Sequence, residues 1–216
     1  MIKMHEPDGL EELLTKQPLL QREIGENGSL NLVGQFKLHA SFLETTLIGN
    51  YRLRIVIDSK FPRIPPRIYE IGSKIPNEEK FHKNKDTTLC LGSPLSQSLY
   101  LAKNPCLSTF IDTFLVPFLY GVTSILEGKT LRFEWGELGH GKKGLIEEYS
   151  ELFEVPKERV PKVLQALATK RRIANKIPCP HCDKQRLGGC PYHHLINKFR
   201  KILSRSQYRK HEKELL

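Results

Sequence analysis

The sequence has little in the way of uninterrupted apolar runs. No uninterrupted apolar run approaches the ~20 residues that a membrane-spanning helix needs. The N-terminal stretch, MIKMHEPDGLEELL, becomes acidic at once and lacks the apolar core of a signal peptide. These absences predict a cytoplasmic protein that makes no contact with a membrane.

Cysteine is scarce, and its number is odd. The chain has five cysteines in 216 residues. A complete disulfide framework needs an even number, and cysteines in a reducing cytoplasm are not expected to pair. We therefore interpret the cysteines as catalytic, metal-binding or buried.

Most of the chain has no excess of either charge. Residues 1–169 contain 21 Lys and Arg and 21 Asp and Glu, whereas residues 170–216 contain 13 basic and three acidic residues, which accounts for the net charge of +10. A neutral body with a basic tail predicts separate roles for the two parts. The tail could bind phosphate-rich partners or form a solvated helix face. Because it has no recognition-helix or base-stacking pattern, we favour the solvated face and do not expect a nucleic-acid partner.

Residue periodicity in the first half predicts one helix followed by an antiparallel sheet. Apolar spacing predicts a helix over residues 8–23, interrupted by Pro18. Alternating apolar residues predict strands around 36–42 and 51–57, joined by a turn at Gly49–Asn50, and a third strand within PPRIYEI. Residues 72–100 show no such alternation and predict a long functional loop.

Helical periodicity dominates the second half. The predicted helices cover residues 104–127, 145–154, 161–172 and 195–214. The first of them should begin with Asn104 as its N-cap and Pro105 in its first turn, and Pro117 should kink it. The order of helix, strand meander, long loop and helices predicts an α+β fold.

A motif lies in the stretch FPRIPPRIYEIGSKIPNEEKFHKNKDTTLCLGSP, residues 61–94. An aromatic-Pro-x-x-Pro-Pro turn precedes a His-x-Asn element, His82 and Asn84, and then the pair Cys90–Leu91. In this order of elements, residues 8–154 resemble the ubiquitin-conjugating enzyme (UBC-like) family. Lys83 stands where proline is usual, and Asn84 is closer to Cys90 than in the eukaryotic family. These departures resemble the divergent bacterial branch.

The resemblance implies a UBC-like fold and a role for each matched residue. Cys90 would hold a modifier as a thioester, Asn84 would support the oxyanion during attack by an amine, and His82 would brace the loop. The implied partners are a ubiquitin-like protein or another modifier with an activated C-terminus, an activating enzyme, and a target protein. Relatives in the bacterial branch occur in anti-phage defence systems, including those built around cyclic-oligonucleotide synthases, so a synthase is one implied target.

The chemistry of the thiol can also be argued without the family. A thiolate is a good nucleophile for an activated acyl group, and basic residues near Cys90 in sequence favour that ionised form. The alternative is that Cys90 is a small buried residue between Leu89 and Leu91. Cys106, in the first turn of a predicted helix, is a rival thiol without the motif. In the loop GELGHG, Glu137 and His140 could supply acid–base help, or they could be solvated residues of a glycine-rich turn.

A Cys/His cluster occupies residues 178–194, which read PCPHCDKQRLGGCPYHH. Cys179 and Cys182 have the C-x2-C spacing of a metal site, and Cys190 can supply a third sulfur. His193 or His194 would complete a tetrahedral set. A closed site of four ligands predicts structural zinc. The alternative is three unligated thiols beside solvated histidines.

These observations predict two parts with separate functions. Residues 1–172 would form a UBC-like catalytic core with its following helices, and residues 173–216 would form a zinc knuckle with a basic C-terminal helix. The predicted activity is acyl transfer through a cysteine thioester. The alternatives are a catalytically inactive UBC-like binding module and a zinc-containing nucleic-acid-binding adaptor.

Overall fold

A computed structural model describes residues 6–84, 86–130 and 142–215. The chain divides into two compact units: Met1–Gly92 with Ser96–Gly136, and Ser93–Leu95 with Glu137–Leu216. The described part contains a four-stranded antiparallel sheet and several helices. The predicted α+β class is therefore confirmed.

The first unit is built on the sheet. Its strands are β1 (Leu20–Ile24), β2 (Leu30–Phe42), β3 (Thr45–Ile57) and β4 (Arg67–Glu70). They lie side by side in chain order, and each pair is antiparallel. The predicted meander is therefore confirmed.

Alternation along the strands explains why the sheet has one buried face. Phe36 and Leu38 on β2, and Leu53 and Ile55 on β3, are almost fully buried, whereas the intervening Arg54 is exposed. Successive side chains of a strand point to opposite faces, so one face packs on the core and the other remains polar.

The predicted helix over residues 8–23 is wrong in its second half. The helix α1 covers only Leu10–Lys16, and the chain then enters β1. Pro18 explains the change, because it has no amide hydrogen to donate and disfavours a helical conformation at Gln17.

The predicted turn at Gly49–Asn50 is also wrong, since both residues lie inside β3. The chain reverses at Leu43–Glu44 instead. Gly49 is required for packing: a Cβ atom there would lie 3.0 Å from the Tyr51 ring and 3.3 Å from Thr123 Oγ1. The hydroxyl groups of Tyr51 and Thr123 form a buried hydrogen bond of 2.6 Å.

The remaining helices of this region follow the strands. They are α2 (Pro94–Lys103), α3 (Leu107–Phe110), a π-helical turn (Ile111–Leu115) and α4 (Val116–Leu126). The predicted start at Asn104 and Pro105 is wrong, because the helix begins at Leu107 with Cys106 at the N-cap. Pro117 lies in the first turn of α4, directly after the π-helical turn. The irregular turn accommodates the hydrogen bond that proline cannot donate.

The segment Leu107–Leu126 is long and apolar enough to cross a membrane, with 20 residues and a hydropathy of 1.5. It is nevertheless a weak indication of a membrane span, because 56% of an 18-residue stretch of this segment is buried inside the protein. Phe110, Ile111 and Leu119 belong to the hydrophobic core beneath the sheet. A core helix meets the same criteria, and the cytoplasmic localisation stays a prediction.

The second unit is helical. Its helices are α5 (Lys142–Phe153), α6 (Val160–Ala168), α7 (Arg171–Ala174), α8 (His193–Ile202) and α9 (Arg205–Leu215). The fully buried residues Leu164 and Leu167 lie on α6, which packs against α5, α8 and α9. The amphipathic helix α6 therefore has its apolar face covered by the C-terminal helices.

The predicted division at residue 172 stays a prediction. The described helices of residues 142–215 lie in one compact unit. Helices α5 and α6, which the sequence analysis assigned to the core, pack with the basic C-terminal helices. Apolar periodicity shows that a helix has a face to bury, but it does not identify the element that covers that face.

Candidate thiol site and candidate metal centre

Cys90 lies at the end of a short backbone hairpin. Its amide donates to the His82 carbonyl at 2.8 Å, and the Asn84 amide donates to the Thr88 carbonyl at 2.9 Å. Between these two contacts, Lys83 and Leu89 form an antiparallel bridge. The structure therefore brings His82 beside Cys90 through the backbone.

The hairpin is anchored to the edge of the sheet. The Leu89 amide donates to the Ile68 carbonyl on β4 at 2.8 Å, and Thr88 bridges Tyr69. The buried Leu89 side chain packs in the core below the sheet. Strand-like alternation then directs the side chains of Thr88 and Cys90 away from the face that Leu89 occupies.

The thiol of Cys90 belongs to a partly exposed residue, although Leu89 and Leu91 on either side are buried. The residue as a whole is therefore not fully buried, and its catalytic role stays a prediction. Cys106 is also partly exposed, but it lies at the N-cap of α3, close to Gly9.

Asn84 is exposed, and its side chain is held within the hairpin. Its Nδ2 donates to Thr88 Oγ1 at 2.9 Å, and the Thr88 hydroxyl donates to Asp86 Oδ1 at 2.6 Å. The second hydrogen bond lowers the pKa of Asp86 below its usual value. Thr88, two positions before Cys90 in the sequence, therefore orients the side-chain amide of Asn84.

His82 contributes to the loop itself. Its ring atom Nε2 is shielded from solvent, and its backbone has a left-handed φ of 49°. The shielded Nε2 and the strained backbone are consistent with a role of His82 in bracing the loop.

A buried ion pair supports the hairpin from the other face, and sequence reasoning missed it. The Glu70 side chain is fully buried, and its carboxylate accepts hydrogen bonds from the amides of Gly72, Lys74 and Ile75. Lys83 Nζ lies 3.8 Å from Glu70 Oε2 and donates to the Ile75 carbonyl at 2.6 Å. The lysine that departs from the UBC-like pattern therefore connects the hairpin to the end of β4. The replacement of proline by lysine was the only sequence signal for this contact.

The second site is a group of three cysteines. The Sγ atoms of Cys179, Cys182 and Cys190 all lie within 4.8 Å of one another, an arrangement that could hold a metal ion. Two backbone hydrogen bonds shape the loop: the Cys179 amide donates to the Gln185 carbonyl, and the Asp183 amide donates to the Cys179 carbonyl. The C-x2-C turn therefore brings the first two sulfurs to the third.

Opposing effects act on these thiols. Burial raises the pKa of Cys179 to about 11, whereas backbone amides, first that of Lys184, lower the pKa of Cys182. Amide donors aimed at sulfur stabilise a thiolate, and burial without a cation opposes that charge. A bound cation would remove this conflict, since metal-ligating cysteines are thiolates.

The histidines do not join the sulfur group. His193 donates from Nδ1 to the Cys190 carbonyl at 2.7 Å, and its ring lies 4.0 Å from that of His194. His181 stacks on Tyr192 with ring centres 5.0 Å apart. Within the described residues, the group that fits a metal ion thus contains sulfur ligands alone.

Arg159 connects the metal loop to the helices, and sequence reasoning did not identify it. Its Nη1 donates to the carbonyls of Pro180 and His181, and its Nη2 lies 3.4 Å from Asp183 Oδ2. Tyr192 donates to the Phe153 carbonyl at the end of α5 at 2.6 Å. These contacts therefore link the sulfur group to the helices of the same unit.

Glu137 and His140 lie outside the described residues. No protein-family model, curated protein or solved structure matches the chain. The UBC-like assignment therefore stays a prediction based on the motif and the order of elements.

Proposed function

We propose that Cys90 accepts the activated C-terminus of a ubiquitin-like protein as a thioester and passes it to an amine on a target protein. The observation that carries this proposal is the partly exposed residue Cys90 at the end of a hairpin anchored to the sheet. A nucleophile on a braced backbone can meet a large substrate without reorganising its own loop.

The order of elements supports the same class of enzyme. An N-terminal helix is followed by a four-stranded meander, by a loop that carries the thiol, and then by helices. This is the order that the resemblance to the UBC-like family implies. The fold class alone would not identify a function, so the proposal depends on the site.

The reaction consists of two acyl transfers. The Cys90 thiolate attacks the carbonyl carbon of the incoming thioester, and the donor thiolate leaves and takes up a proton. The target amine then attacks the Cys90 thioester, an amide bond forms, and Cys90 leaves as a thiolate while the amine loses a proton to water. Asn84, oriented by Thr88, is the proposed donor to the oxyanion of the second step.

The partners follow from the chemistry and the resemblance. An activating enzyme must supply the incoming thioester, since a free carboxylate would not react. A cyclic-oligonucleotide synthase in an anti-phage defence system is the proposed target. The proposed compartment is the cytoplasm, where thiols remain reduced.

We also propose that the sulfur group holds structural zinc. Ligand sulfurs at ~2.3 Å from a tetrahedral zinc ion lie about 3.8 Å from one another. The Sγ atoms of Cys182 and Cys190 are 3.8 Å apart. The residues present therefore fit this ion, which would supply the positive charge that three clustered thiolates need.

His193 is the proposed fourth ligand, and its ring would have to approach the three sulfurs when the ion binds, because no histidine belongs to that group in the structure. A carbonyl oxygen can only accept, so the contact with Cys190 places the His193 proton on Nδ1 and leaves the lone pair on Nε2. Metal-ligating histidines commonly donate from their other nitrogen to a backbone carbonyl in this way. His194 is the alternative, and zinc content in His193→Ala and His194→Ala compares the two.

The decisive experiment for the enzyme is covalent trapping. The chain is co-expressed with candidate activating enzymes and modifiers encoded beside its gene, and adducts are identified by mass spectrometry. A reductant-sensitive adduct should form, disappear in Cys90→Ala, and persist in Cys106→Ala. Cys90→Ser or Cys90→Lys should give a more stable ester or amide. An undiminished thioester in Cys90→Ala would overturn the assignment. If Cys90 does not react with iodoacetamide, the inactive binding module is favoured.

A further inference from the structure

The second unit brings basic side chains together at one point, the C-terminal end of α6. Arg200, on α8, donates from Nη2 to the Ala166 carbonyl at 2.9 Å. Arg209, on α9, donates from Nη2 to the Ala168 carbonyl at 3.3 Å. Helices α8 and α9 therefore each place one guanidinium group at the last carbonyls of α6.

The next residues along the chain add further positive charge to this point. Lys170, Arg171 and Arg172 follow α6 directly, and all three are exposed. The pKa of Arg200 is lowered by burial and, to a smaller extent, by the neighbouring charge of Arg171. The fold thus holds like charges close enough to repel one another. We refer to Lys170, Arg171, Arg172, Arg200 and Arg209 as the basic cluster.

Among the residues that the structure describes, no carboxylate forms an ion pair with the basic cluster. The ion pairs found in residues 142–215 use other cations: Lys157 with Glu147, Arg159 and Lys162 with Asp183, and His211 with Glu214. The charge excess recognised in the sequence is therefore concentrated on one region of this unit.

Helix capping explains only part of the cluster. Arginines near the end of a helix can satisfy its last carbonyls, as Arg200 and Arg209 do here. Lys170, Arg171 and Arg172 have no such contact from their side chains in the described structure, yet they add three charges just after α6, and Arg171 is near enough to act on Arg200. Like charges held together without a counter-charge repel one another, and a bound anion would replace this repulsion by attraction.

The aromatic residues of this region restrict the kind of anion. Phe199 and Tyr208 are buried, and the ring of Tyr192 stacks on His181. The bases of single-stranded nucleic acids stack on exposed aromatic rings, whereas a duplex presents mainly its regularly spaced phosphates. The described surface therefore offers charge without a stacking platform.

We propose that the basic cluster binds the phosphate backbone of double-stranded nucleic acid. The sequence alone favoured a solvated helix face for the tail. The convergence of α7, α8 and α9 at the end of α6 changes that interpretation. This binding is independent of the thioester at Cys90, so either proposal can fail without the other.

The test uses the full chain and fluorescently labelled duplexes of about 20 base pairs, an ample length for contacts with several phosphates. Affinity for duplex DNA and duplex RNA is measured by anisotropy over a salt series. The variant Arg171→Gln/Arg172→Gln removes two exposed charges of the basic cluster. The matched control, Lys157→Gln/Lys162→Gln, removes the same charge from two ion-paired lysines in the same unit. Circular dichroism verifies that both variants remain folded.

We expect the cluster variant to bind about tenfold more weakly at ~0.1 M salt. The slope of log affinity against log salt concentration should become shallower by about 1.8, because each lost phosphate contact contributes ~0.9. The control should change less than about twofold. Binding of either duplex supports the proposal, and the ratio of the two affinities identifies the nucleic acid. The proposal is overturned if neither duplex binds, if both variants lose affinity equally, or if single-stranded DNA or poly-glutamate binds more tightly than the duplexes.

Discussion

The contact between Lys83 and Glu70 allows a sharp test of how the thiol hairpin is held. The substitution Lys83→Met keeps an unbranched side chain of similar length and removes the ammonium group. The Glu70 carboxylate would then be buried without its cation, because its side chain is fully buried in the protein. The Ile75 carbonyl would also lose its hydrogen bond from Nζ.

The structure sets the size of the expected effect. Removing one partner of a buried ion pair costs about 3–5 kcal/mol. Three backbone amides would still stabilise the Glu70 charge, so we expect a loss near the lower limit, about 3 kcal/mol. Glu70→Gln should also destabilise the loop. The double variant should cost less than the sum of the single variants, with a coupling free energy of about 1–3 kcal/mol.

The assay is hydrogen exchange of the amides of Gly72, Lys74 and Ile75, together with the rate of alkylation of Cys90. Protection of these amides should fall in Lys83→Met, and the alkylation rate should change because the hairpin has lost its support. Lys80→Met is the matched control, since Lys80 forms an exposed ion pair with Glu78. Such pairs contribute about 0–1 kcal/mol. A loss in Lys83→Met no larger than in the control, or additive effects of the two buried substitutions, would refute the reasoning.

Three further predictions concern other parts of the molecule. Protein purified without added metal should contain about one equivalent of zinc by elemental analysis. Cys182→Ser should reduce the zinc content below about a tenth of an equivalent and should increase limited proteolysis within residues 142–215. Arg159→Gln keeps the sulfur ligands but should weaken zinc affinity about tenfold, because Arg159 holds the carbonyls of the metal loop. The affinity is measured by competition with a chelator, and an unchanged value would contradict this role. Gly49→Ala should lower the stability of the first unit by about 1–3 kcal/mol in thermal unfolding, because the new methyl group would press on the Tyr51 ring. A Gly49→Ala variant as stable as the unsubstituted protein would contradict the packing argument.

The sequence alone determined those features that depend on short-range chemistry. Alternation of apolar and polar residues along β2 and β3 predicted the sheet, because a strand with one buried face has an apolar residue at every second position. The C-x2-C spacing and the following Cys190 predicted a sulfur group that the fold brings within 4.8 Å. The hairpin from His82 to Cys90 is local as well, so the short separation of these residues along the chain was enough for the motif to indicate their proximity.

Tertiary structure decided the roles that depend on distant partners. Gly49 looked like a turn residue, but Thr123, far away in sequence, sets its environment. Lys83 looked like a departure from a motif, and its meaning came from Glu70 at the end of β4. The basic residues looked like a solvated helix face until the packing of α8 and α9 placed Arg200 and Arg209 against the end of α6. Periodicity shows that a residue is to be buried or exposed, whereas only the packing of the chain determines which residue it meets.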